Sequence, residues 1–110
     1  MSEVEKLLRK AKARIRRGWC QLADARDKDG VWTWPTRPTA RAWCAYGALI
    51  QAYPADADSE NAAFNLMCRA IRTRSITRWN DKKGRTKTQV LAAFDRAILL
   101  AQTLSSSSKS

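Results

Sequence analysis

The sequence contains no histidine, and its three cysteines, Cys20, Cys44 and Cys68, stand far apart without a CxxC pair. Zinc sites built from cysteine and histidine are thereby excluded, and so is the imidazole that usually serves as general base near neutral pH. No metal and no cofactor are expected, and reduced, half-buried thiols are the reading for a cytosolic chain. Also lacking are an apolar run of membrane-spanning length and a basic, apolar, small-residue leader, which predicts a cytoplasmic protein without a membrane partner. Acids are scarce, 10 Asp and Glu against 21 Lys and Arg, for a net charge of +11. At this size such an excess gives a positive potential over much of the surface and favours polyanionic partners, either nucleic acid or an acidic protein.

What is present suits one domain. A chain of 110 residues with 45% apolar residues can bury a single core. Ser2 and Glu5 have capping-box spacing, and Val4, Leu7, Leu8, Ala11 and Ile15 then recur at helical period up to Gly18, which can end the helix in a left-handed conformation. The stripe packs on the core and the remaining face is basic. From Trp19 to Trp34 the helical period disappears, and Asp29-Gly30 signals the turn of a short hairpin that Trp19, Val31, Trp32 or Trp34 must pin to the helices. Pro35 and Pro38 make WPTRPT an ordered loop.

Thr39 can cap a helix running to about Ala52, apolar on nearly every side and so placed at the centre of the bundle. Gly47 inside it marks the close approach of another backbone or a bulky ring, and Pro54 ends it. Asp56, Asp58 and Glu60 open a third helix, with Ala63, Phe64, Met67, Ala70 and Ile71 inward and Arg69 and Arg72 at its end, and 73–79 continues as a short helix or turn. Thr86 and Gln89 form a second capping box, followed by Val90, Leu91, Phe94, Ile98 and Ala101 on one face. The expected fold is therefore a mainly α single domain, 1–104, of about four helices with a small β-hairpin after the first. Its core is Trp43, Ile50, Met67, Ile71, Val90, Phe94 and Ile98, closed by Leu104, and a serine-rich tail at 105–110 is expected to be disordered.

Chemistry is harder to place. Paired aspartates at 27/29 and 56/58 sit on turns and caps, Cys44 has no imidazole to activate it, and Lys83-Gly84-Arg85-Thr86 lacks the upstream glycine of a phosphate loop. No catalytic residue is assigned. Binding groups concentrate between Arg78 and Lys87: Trp79 and Asn80, then Lys82, Lys83, Arg85 and Lys87 around Gly84, with Arg74 upstream and Arg14 and Arg17 from the first basic segment. With the backbone N–H groups of 86–88 they would form an anion site at a helix start, able to take a phosphate. Asp81 and Asp95 are expected in structural ion pairs, Asp95 with Arg41 or Arg85. Trp79 or Trp32, if exposed, could stack on an unpaired base.

RAWCAYGALIQA and WNDKKGRTKTQVLAAFDRAILLA, together with RGWCQLADARDKDG, resemble a family from actinobacteria and their phages known only as a domain of unknown function. The resemblance spans Gly18 to Ala101 and rests on WC-x-x-GAL at Trp43 to Leu49 and WND-x-x-GRT at Trp79 to Thr86. It implies a small independent domain carried by mobile genetic elements, and transfers no catalytic residue.

The reading is a non-catalytic basic protein of a phage or mobile element that contacts nucleic-acid phosphates without sequence specificity. The alternative is an inhibitor that uses its basic surface against a host defence complex, such as a CRISPR effector. A third is a small-molecule binder or enzyme with a pocket of Trp79, Asn80, Asp81 and Arg85.

Overall fold

The computed structural model describes residues 2–52 and 56–107. In chain order it consists of α1 (Glu3–Arg17), β1 (Ala25–Arg26), β2 (Trp32–Thr33), β3 (Ala42–Trp43), α2 (Ala45–Ala52), α3 (Ala57–Ile71), α4 (Ile76–Asp81) and α5 (Lys87–Ser107). The mainly helical domain with a small β element after α1 is as expected. The extra helix, α4, starts in the stretch 73–79 expected as helix or turn and runs two residues beyond it, through Asn80 and Asp81.

α1 starts where Ser2 Oγ accepts the Glu5 N–H at 3.1 Å. Its stripe of Leu7, Leu8, Ala11 and Ile15 is buried, and α1 packs against α2, α3 and α5. It, rather than α2, is therefore the central helix. α2 has only 8 residues. Its apolar surface is divided among α1, α4 and β3, which leaves Ile50 and Tyr46 half-buried, Tyr46 lying edge-on to Phe64 of α3 at 6.2 Å. α5 runs antiparallel to α1 and is tied to it along its length. Lys87 Nζ donates to the Arg16 carbonyl at 2.8 Å, Asp95 pairs with Lys12, and Gln102 Nε2 donates to Glu5 at 3.1 Å. Val90, Phe94 and Ile98 of α5 meet Met67 and Ile71 of α3 in one buried cluster with α1 and Trp43. Leu104 does not close the fold: it is exposed, at a groove it lines with Val4, Leu66 and Ala101. The backbone of 105–107, expected in the tail, continues α5, while 108–110 and Pro54 lie outside the described residues.

The sheet has order β2-β1-β3, all antiparallel, with Arg26 opposite both Trp32 and Ala42. Its hairpin turns at Asp29-Gly30, where the Asp27 N–H donates to the Val31 carbonyl at 2.9 Å and Gly30 takes φ 79°. β3 lies where a helix was expected from Thr39. The reason is a partner out of sequence reach: the Arg41 N–H bonds the Arg26 carbonyl at 2.8 Å, and α2 begins only after Cys44. Trp19 adds a parallel bridge to Trp43.

Two glycines permit this crossing. Gly18 ends α1 in extended backbone, φ −174°, not left-handed, and a Cβ there would stand 2.1 Å from the Arg41 carbonyl oxygen. At Gly47 the backbone approach expected from the sequence is found: a Cβ would stand 2.0 Å from the Asp24 carbonyl oxygen.

Candidate functional site

The stretch singled out for binding, Arg78 to Lys87, is built around Asn80, which is 0% exposed. Its Oδ1 accepts from Trp19 Nε1 at 2.8 Å and from the Ala45 N–H at 3.0 Å. Its Nδ2 donates to the Cys20 carbonyl at 3.1 Å and to Asp81 at 3.0 Å. One side chain thus ties the bridge at Trp19, the start of α2 and the end of α4, and its hydrogen-bonding capacity is used internally. Asp81 accepts the Leu22 N–H at 2.9 Å and forms no ion pair among the described residues. Gln21 continues the seam, its Nε2 donating to the carbonyls of Asn80 at 3.0 Å and Lys82 at 3.1 Å. Of the four residues expected to line a ligand pocket, Asn80, Asp81 and Arg85 direct their polar groups at one another and at the backbone, and Trp79 lines a groove with Ala70, Arg96 and Leu100.

Arg85 is likewise turned inward. Its guanidinium lies 4.1 Å from the centre of the Trp79 ring and its Nε donates to the Trp79 carbonyl at 2.9 Å. Trp79 itself is half-buried against the core. The capping box of α5 is present, with Thr86 Oγ1 accepting the Gln89 N–H at 3.2 Å and Gln89 Oε1 accepting the Thr86 N–H at 3.1 Å. The expected phosphate cradle is thus changed: Thr86 N–H, Arg85 and Lys87 are engaged within the chain. Arg14 is also committed, donating to Gln51 at 2.7 Å and lying over Trp43 at 5.6 Å. Asp95 pairs with Lys12 instead of Arg41 or Arg85, because α5 faces α1 along this stretch.

What remains open is a smaller basic set. The Lys87 bond to the Arg16 carbonyl sets the last turn of α1 beside the first turn of α5. Arg16 and Arg17 therefore lie at the same end of the molecule as Arg78, Lys82 and Lys83, all of them exposed. Among the described residues these five side chains make no ion pair or hydrogen bond. The three ion pairs found, Lys6–Glu3, Arg9–Glu5 and Lys12–Asp95, lie along the earlier turns of α1. Arg74 is exposed before α4, its carbonyl accepting from the Cys68 thiol at 3.7 Å. A groove of about 480 Å³ lies elsewhere, lined by Val4, Ala62, Leu66, Ala101 and Leu104, and none of the predicted site residues lines it.

The three cysteines are free thiols. Burial pushes Cys44 up to about 12 and Cys20 up to about 11, and it raises Cys68 as well. Cys44 serves the fold by capping α2, its Sγ accepting the Gly47 N–H at 3.2 Å. Neither buried thiol is a nucleophile at neutral pH.

Sequence reasoning placed Glu5 in the α1 capping box and missed that it is buried and that its carboxylate serves other partners: Arg9 Nε donates to it at 2.9 Å and Gln102 at 3.1 Å, and the Arg9 hydrogen bond, chiefly, holds its carboxyl below the ordinary value of 4.5. It also missed Gln21, which no local pattern distinguishes. Among the described residues no helix is long and apolar enough to cross a membrane. No curated protein and no solved structure matches the chain. Residues 1–100 match a family of unknown function, DUF6197, and the chain belongs to that family.

Proposed function

We propose that the chain is a non-catalytic basic protein that contacts nucleic-acid phosphates through the surface where the end of α1 meets the α4–α5 turn. The observation that supports it is the Lys87 bond to the Arg16 carbonyl, which joins two basic segments distant in sequence. Arg16, Arg17, Arg78, Lys82 and Lys83 then present charge that no acid pairs with among the described residues, on a protein of net charge +11. Such a surface neutralises phosphates and releases counterions, with no sequence preference. We read the chain as a protein of a phage or mobile element on the motif resemblance described above.

The test is a salt series of binding to labelled single- and double-stranded DNA and RNA after nuclease treatment of the protein. Log affinity should fall linearly with log salt. The variant Arg78→Gln/Lys82→Gln/Lys83→Gln should flatten that slope by about one unit per lost contact. Arg85 is left intact because its charge supports Trp79. No binding at low salt, or an unchanged slope in the variant, overturns the proposal and turns attention to an acidic host protein for the same surface.

A further inference from the structure

We infer that the outer face of the three-stranded sheet is a stacking platform for unpaired bases, so that the nucleic acid taken by this protein is single-stranded. The inference rests on the phosphate-binding reading above and adds to it the class of nucleic acid.

Side chains alternate across a sheet. Here Ala25 and Trp43 point inward and are buried, which sends Arg26, Ala42 and Trp32 to the opposite face. Trp34, two residues beyond Trp32, stands on that same side, the two rings meeting edge to face at 4.7 Å. Trp32 is 47% and Trp34 54% exposed, with Val31 exposed beside them. The other three tryptophans have structural partners: Trp19 bonds Asn80, Trp43 Nε1 donates to the Pro35 carbonyl at 3.0 Å, and Trp79 lies under Arg85. The indole N–H groups of Trp32 and Trp34 make no hydrogen bond among the described residues, although the Trp34 carbonyl accepts the Arg37 N–H at 3.1 Å. The hairpin is held through β1 by β3 on its other edge, without these two rings, and two indoles left in water are a binding surface in waiting.

The occupant is set by what surrounds the pair. Arg26, opposite Trp32, donates to the Gly30 carbonyl at 2.8 Å and to the Gln21 carbonyl at 3.2 Å, and Gln21 in turn holds the Lys82 carbonyl at 3.1 Å. The aromatic face and the basic turn are thus neighbours through two side chains, with Leu22, 77% exposed, between them. Lys28 and Arg37 are exposed on the hairpin side, while the Asp27 carboxylate is turned to the N–H groups of Asp29 and Val31 at 2.9 and 3.0 Å. An aromatic pair continuous with a cationic strip matches the alternation of bases and phosphates in a single strand. A duplex hides its base faces inside the stack, so it would meet the cations and leave the rings idle.

The experiment titrates the full-length protein with a thymidine 15-mer and with a 15-base-pair duplex. It follows both tryptophan emission and the anisotropy of a labelled oligonucleotide. Quenching by the 15-mer and not by the duplex is expected. Trp32→Leu/Trp34→Leu should weaken 15-mer binding roughly tenfold or more at fixed salt, while keeping the wild-type salt slope and far-UV circular dichroism. Trp32→Tyr/Trp34→Tyr, which retains ring faces, should recover most of the affinity. If neither nucleic acid binds at low salt, the phosphate reading fails and this inference with it. If 15-mer and duplex bind alike and the leucine variant matches the wild type, the stacking platform alone is overturned. The same holds if the rings respond to anionic phospholipid vesicles and not to the 15-mer.

Discussion

The two ends of this molecule are held together by different means. Where α1, α3 and α5 pack, the adhesive is apolar side chains at helical spacing, with Phe94, Leu8, Ile15 and Met67 removed from water. Where the hairpin, β3, the start of α2 and α4 meet, the strands are only two residues each, and the parts are joined by one buried amide, Asn80, and by Gln21. The first kind of order tolerates exchange of one hydrocarbon for another of similar volume. The second tolerates little, because each lost partner strands a buried donor or acceptor. The proposed binding surface lies at this polar end, where strands and turns rather than a helix face form the exterior.

Truncations at the two ends should separate these modes. Phe94→Ala should lower stability by about 3–5 kcal/mol, through lost burial and the cavity left behind. Asn80→Ala should cost about 3 kcal/mol, mostly by leaving Trp19 Nε1, the Ala45 N–H and the Cys20 carbonyl without partners. Urea midpoints measure both, and hydrogen exchange distinguishes them. Asn80→Ala should speed exchange at Cys20, Trp43 and Ala45 while α1 and α5 keep their protection. Equal deprotection of the whole chain would erase the distinction between the two ends.

Gly47→Ala comes next, at about 1–3 kcal/mol from overpacking against Asp24. Its tryptophan emission should shift with the hairpin displaced, and an unperturbed protein would show that α2 and β1 can separate without penalty.

The smallest effect is that of acid. Glu5 lies below its ordinary value of 4.5 chiefly through Arg9, and Asp56 below 3.8 chiefly through the Ser59 N–H. A carboxyl with a lowered folded-state value stabilises the fold above its unfolded value, and loses that contribution as pH falls through the folded one. Thermal midpoints should therefore stay level between roughly pH 5 and 8, where the absent histidines would have titrated, and decline below about 4.5. Glu5→Gln should flatten part of that decline.

How much of this was readable in advance follows the same division. The start of α5 was visible because both halves of its capping box lie within 3 residues of each other. The inward faces of α1, α3 and α5 were visible through their period. Gly47 also spoke plainly, since a glycine inside an apolar helix needs a reason. The start of α2 was not visible, for Thr39 has cap chemistry, but the true constraints are a strand partner at Arg26, the thiol of Cys44 and an amide 35 residues away. Of the candidate site, the basic stretch was legible and the contacts of its side chains were not. Composition identifies Arg85 and Lys87 as cations, yet only tertiary contacts show one stacked on Trp79 and the other spent on Arg16. Trp32 and Trp34 could be told from Trp19 and Trp43 only once the strand register was fixed.

The three-point clasp between α1 and α5 has a practical consequence. Glu5 and Gln102 meet at one pole while Arg16 and Lys87 meet at the other. A tether fused ahead of α1 or behind α5 therefore starts from the Glu5–Gln102 pole, where Lys6 and Arg9 are paired with acids, and leaves Arg16, Arg17, Lys82 and Lys83 at the opposite pole facing the solution.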